Sequence, residues 1–96
     1  MTYAELQASL SVFGLSDRVT LKEIKARHRE LVKRRHPDAG AADDPAVIRR
    51  VNAAYRVLLE YADSYRFSFA EKEFYEQNPE ERLRRQFMDD PLWNKG

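Results

Sequence analysis

Apolar residues recur along most of the chain at three- and four-residue spacing, and no stretch alternates apolar and polar residues as a half-buried strand does. The pattern predicts an all-α protein. Thr2 followed by Glu5 has the form of a capping box, so a first helix is expected from about Tyr3 to Val12, ended by Gly14. Thr20 followed by Glu23 repeats the form. Beyond it Leu21, Ile24, His28, Leu31 and Val32 share one face of a second helix. That helix is expected to stop at Arg35 or His36, because Pro37 disfavours helical geometry in the residue before it. Asp38 to Asp43 reads as a loop.

Asp44-Pro45 has the form of an N-cap followed by a first helical residue. The third helix it opens is long, to about Tyr65 or Arg66, with a stripe of Val47, Ile48, Val51, Ala54, Tyr55, Leu58, Leu59, Ala62 and Tyr65. Ser68 with Glu71 predicts a short fourth helix over about Phe69 to Glu76. Asn78-Pro79 with Glu81 predicts a fifth from Pro79 to Met88. Asp89 to Gly96 is expected to be irregular, with Trp93 folded back. The second and third helices are expected to pack antiparallel through Leu21, Ile24, Leu31, Val32, Val51, Ala54, Tyr55 and Leu58. Residues 1–66 then form a core, and residues 67–96 a helical extension packed on it. Two helices make a thin core, so Phe67, Phe69, Phe74, Phe87 and Trp93 are expected to be largely covered by the hairpin.

Composition adds limits. Ninety-six residues make one small domain, and 43% hydrophobic content is too apolar for a disordered chain. No apolar run approaches the roughly 20 residues that span a bilayer. Met1-Thr2-Tyr3-Ala4-Glu5 lacks the pattern of a secretory signal. The chain has no cysteine, which excludes disulfides and thiolate metal sites and fits a reducing cytosol. A cytoplasmic location is therefore expected.

The net charge of +1 matters less than its distribution. Thr20 to His36 holds seven Lys or Arg against two Glu, whereas Glu60 to Gly96 holds nine acidic residues against six basic. Within the second helix Lys22, Lys25, Arg29 and Lys33 fall in a narrow arc, away from the apolar stripe. By itself such a row reads as a solvated face. Its C-terminal neighbours change the reading, because the row runs into His36-Pro37-Asp38.

Taken together, Phe13-Gly14-Leu15-Ser16, Glu23-Ile24-Lys25, Arg29-Glu30-Leu31, His36-Pro37-Asp38 and Asn52-Ala53-Ala54-Tyr55 resemble the J-domain of the DnaJ co-chaperone family. The resemblance spans about Tyr3 to Tyr61. It implies a helical hairpin with the His-Pro-Asp loop at its tip. It also implies that the loop and the basic helix before it dock on a DnaK-type heat-shock chaperone and stimulate its ATP hydrolysis. By that resemblance His36, Pro37 and Asp38 are the signature residues, and Lys22, Lys25, Arg29, Lys33 and Arg34 the docking face. Pro37 fixes φ and so sets the angle at which the chain leaves the helix. A cation row raises the on-rate toward an acidic surface and sets orientation more than it adds affinity.

The chain departs from the family pattern at several places. His28 stands where Tyr is usual, and reads as a core histidine. Arg35 replaces an aromatic before the signature His, Ala39 replaces a cation after the signature Asp, and Glu30 adds a negative charge where basic residues are frequent. After Tyr61 the family's basic fourth helix is replaced by an aromatic-rich segment. Those aromatics read mainly as cover for the core, and alternatively as a patch for client proteins. No metal site, phosphate loop or nucleophilic triad can be assembled, so neither a cofactor nor enzymatic activity is expected. The expected partner is a DnaK-type chaperone, with no nucleic acid and no membrane, and the chain is expected to be monomeric. The alternatives are a J-like scaffold that binds without activating, and a helical nucleic-acid-binding module, which the near-neutral net charge disfavours.

Overall fold

The computed structural model describes residues 1–34 and 44–88, with only the backbone of Arg34. Among them it is all-helical: α1 Tyr3–Phe13, α2 Leu21–Arg34, α3 Pro45–Ser64, α4 Glu71–Gln77 and α5 Pro79–Met88. The expected end of α2, the Asp38 to Asp43 loop, the irregular C-terminus and the placement of Trp93 lie outside the described residues. The chain divides into two compact units, Met1–Tyr65 and Arg66–Gly96.

The helix starts reflect the local chemistry of their residues. Thr2 Oγ1 accepts from the Glu5 N–H at 3.1 Å, and the Glu5 carboxylate accepts from the Thr2 N–H at 3.3 Å. Thr20 and Glu23 repeat this exchange at 3.1 and 3.4 Å. Each box satisfies two amide donors that the first turn leaves without helical partners. Asp44 caps α3 by accepting from the Ala46 N–H at 2.9 Å, with Pro45 next in line. α1 ends at Gly14, whose φ of 64° lets the Leu15 N–H reach back to the Leu10 carbonyl at 3.3 Å. A side chain there would be strained by the backbone angle alone.

The fourth start differs from expectation. The Ser68 hydroxyl accepts from the Ala70 N–H at 3.3 Å, two residues on, and makes a local turn instead of a helix cap. α4 therefore begins at Glu71, behind Ala70, which makes no side-chain cap. Asn78, expected to open α5, sends its side-chain amide back to the Phe74 carbonyl at 2.9 Å and so closes α4. Pro79 still begins α5, as its fixed φ favours.

In the first unit α2 and α3 form an antiparallel hairpin and α1 packs across it, chiefly on α3. The register is marked by His28 and Asn52, which hydrogen-bond to each other. They lie nearly equidistant, counting along the chain, from the connection between the two helices. The core is Phe13, Ile24, Leu31, Val51, Ala54 and Leu58, flanked by Leu6, Leu10, Val12, Leu15, Val19, Val32 and Tyr55. Of the expected interface residues Leu21 alone is exposed. It is the first residue of α2, and helical side chains lean toward the N-terminus, so it overhangs the helix end.

The second unit has a different constitution. α4 and α5 pack on each other and bury no residue completely. They are joined by polar and ring contacts: Arg85 forms an ion pair with Glu71, donates to the Tyr75 hydroxyl at 3.3 Å and lies 5.5 Å from the centre of the Tyr75 ring. The expectation that Phe67, Phe69, Phe74 and Phe87 are covered is not met. All four are exposed, Phe67 at 74% and Phe69 at 94%. In the first unit Phe13 is fully enclosed, and Leu6, Leu10 and Val12 pack against the same core.

Candidate docking face

α2 sorts its residues by side. Ile24 and Leu31 enter the core, and Arg27 and His28 are half-buried at its two margins. Lys22, Lys25, Arg29 and Lys33 are all exposed. Their three- and four-residue spacing places the four ammonium and guanidinium groups in one row along the helix. None of the four forms an ion pair with a carboxylate among the described residues. The row is therefore a linear positive field in water, suited to steering toward an acidic surface and weakened by salt.

Arg27, also on α2, does something else. Arg27 Nε donates to the Phe13 carbonyl at 2.8 Å, and its guanidinium pairs with Glu30 at 3.2 Å. It ties the C-terminus of α1, where helix carbonyls lack partners, to the middle of α2. Glu30 is thereby engaged by Arg27.

His28 marks the other margin of α2, against α3. Its ring stacks on Tyr55 with centroids 3.7 Å apart and planes within 4°. Its Nε2 lies 3.0 Å from Asn52 Oδ1, an arrangement in which the imidazole N–H donates to the amide oxygen. Phe13 lies about 6 Å from both rings, nearly parallel to them (6.2 Å to His28 and 6.1 Å to Tyr55). His28 is thus the core histidine expected from its position. A polar ring half-buried between helices is best satisfied by a partner, and Asn52 is that partner. In the sequence Asn52 stands out only as part of a motif. The signal that could have paired it with His28 is a polar residue within each apolar stripe, at matching distances from the connection.

Of the expected site residues, Lys22, Lys25, Arg29 and Lys33 share one exposed row. His36, Pro37 and Asp38 lie outside the described residues, as does the side chain of Arg34. Among the described residues no group of three His, Cys, Asp or Glu is placed to hold a metal ion. No helix among them is long and apolar enough to cross a membrane.

No protein-family model matches the chain, and no solved structure matches it. The chain is similar to the chaperone protein DnaJ of Ureaplasma parvum serovar 3, with 40% identity over 49 residues. The matched stretch is 51% of this chain and 13% of that relative, so the chain corresponds to a small part of the relative's length. About half of the chain is thus similar in sequence to part of a DnaJ protein, and the all-helical architecture agrees with a J-domain-like fold.

Proposed function

We propose that this protein is a J-domain co-chaperone. It docks on a DnaK-type heat-shock chaperone through the cation row of α2 and through His36-Pro37-Asp38, and it stimulates ATP hydrolysis by that partner. One observation carries the reading: four exposed cations in line on α2, on a helix that leads directly into the His-Pro-Asp sequence. The DnaJ similarity supports it. In this reading the protein performs no bond chemistry of its own and works in the cytoplasm. Its contribution is electrostatic orientation by the row and local contacts by the tripeptide.

The test is a single-turnover ATPase measurement with a DnaK-type chaperone from the same cell. His36→Gln is expected to abolish stimulation while leaving the melting temperature within a few degrees of wild type. Losing one side of a desolvated polar pair in a complex costs on the order of 2–5 kcal/mol of binding. Wild-type stimulation by His36→Gln would defeat the mechanism and favour a scaffold that binds without activating. Salt-dependent binding to duplex DNA, in place of any effect on DnaK, would favour the nucleic-acid reading.

A further inference from the structure

The sequence points to a docking face on one helix. The register of the hairpin adds cations from a second. His28 and Asn52 face each other at 3.0 Å across the α2–α3 seam. The two helices run in opposite directions, so one turn back on α2 is level with one turn forward on α3. Lys25 is three residues before His28, and Arg56 is four after Asn52; they occupy the same layer. In the other direction Arg49 is three residues before Asn52, level with the last turns of α2 that carry Arg29 and Lys33. Arg49, Asn52 and Arg56 have the spacing of one row on α3.

The core determines on which side of the hairpin the two rows lie. Ile24 and Leu31 of α2, and Val51, Ala54 and Leu58 of α3, are buried together with Phe13 of α1. The cation row of α2 and the Arg49–Arg56 row of α3 both lie past the His28–Asn52 pair, on the side of the hairpin that α1 does not cover. Arg49 and Arg56 are exposed, and neither forms an ion pair with a carboxylate among the described residues. Arg50 is exposed too, but nearly half a turn around α3 from Asn52, so it lies off the row. Glu60, about one turn beyond Arg56, ends the positive surface at the far end of α3.

We infer that the partner-docking surface spans the seam of the hairpin, with Arg49 and Arg56 of α3 forming one continuous positive surface with Lys22, Lys25, Arg29 and Lys33 of α2. Its occupant is an acidic protein surface broad enough to meet two helices at once. A single row fixes the direction of a partner along one axis only; two rows side by side also resist rotation about that axis. The seam itself is held by the His28–Asn52 hydrogen bond and the stack on Tyr55, which keep the two rows in a set register. The inference rests on the co-chaperone reading above and deepens it by placing part of the binding energy on α3.

The experiment uses the full chain and a DnaK-type chaperone from the same cell, with association followed by stopped flow at several salt concentrations. Arg49→Glu and Arg56→Glu are compared with Arg50→Glu, which changes the net charge by the same amount from a different side. All three sites are exposed, and circular dichroism checks that each variant keeps its helices. Arg49→Glu and Arg56→Glu are expected to slow association roughly three- to tenfold at low salt, with the difference closing as salt screens it. Arg50→Glu is expected to change the rate less than twofold. Equal effects from all three variants would overturn the inference and leave the co-chaperone reading intact, because the effect would then be net charge alone. Failure of the wild-type chain to bind the chaperone would instead defeat the co-chaperone reading and this inference with it. Binding of duplex DNA that is lost in Arg49→Glu and Arg56→Glu would overturn the choice of a protein as the occupant.

Discussion

Both units are made of helices alone among the described residues, yet only the first encloses a core. Met1–Tyr65 buries Phe13 completely and Ile24, Leu31, Val51, Ala54 and Leu58 nearly so. In Arg66–Gly96 no residue of α4 or α5 is buried, and Phe74, Leu83, Phe87 and Met88 remain exposed. The difference is one of geometry more than of composition. Three helices can surround a side chain, while two in contact along one line cover only one side of it. A helix such as α4, Glu71–Gln77, has two turns and little surface to offer. Polar and ring contacts centred on Arg85 hold the second pair where apolar enclosure holds the first.

The sharpest test of that contrast is truncation of an equivalent residue in each unit. Leu58→Ala removes a side chain enclosed on all sides and is expected to lower stability by about 2–5 kcal/mol, measured by urea unfolding. Phe87→Ala removes a larger side chain that is 55% exposed and is expected to cost under about 1 kcal/mol in the same measurement. Equal losses would mean that the second unit holds its apolar residues as tightly as the first.

A smaller effect is expected from removing the second unit. Every buried residue of the core comes from α1, α2 or α3, so a fragment of residues 1–65 is expected to unfold cooperatively with a melting temperature within about 5 °C of the full chain. A fall well beyond that would show that the first unit needs the second for its stability.

Next in size is the cap of α2. Thr20→Ala removes the oxygen that accepts from the Glu23 N–H and is expected to cost about 1 kcal/mol, read from the same urea unfolding curves. The smallest effect belongs to the exposed ion pair of Arg84 with Glu81, 3.5 Å apart. Arg84→Ala is expected to shift stability by no more than about 0.5 kcal/mol, since solvent-exposed pairs contribute little.

Much of the local structure is legible in the residues themselves. Thr2, Thr20 and Asp44 announce helix starts because a side-chain oxygen can satisfy an amide only at short range, a matter of neighbours in sequence. Gly14 announces an end for the same reason. The cation row is legible because helical spacing alone decides which residues share a side, and exposed charges need no tertiary partner. Ser68 shows the limit of such reading. A serine can cap a helix or turn its own backbone, and the sequence pattern is the same for both.

What the tertiary structure decided concerns residues whose role depends on a distant partner. Phe13 became the centre of the core because α1 crosses the hairpin; its own helix has no sharp apolar stripe to announce this. Arg27 separated from the other cations when the Phe13 carbonyl came within 2.8 Å of it. Asn52 acquired meaning only opposite His28, and Arg49 and Arg56 gained their place on the basic face only through the register which that pair marks. Phe67, Phe69, Phe74 and Phe87 are exposed, although the need of a small domain for apolar cover predicts them inside. Periodicity orders side chains around one helix axis, but it holds no information about which helices meet or at what register, and burial is a property of that meeting.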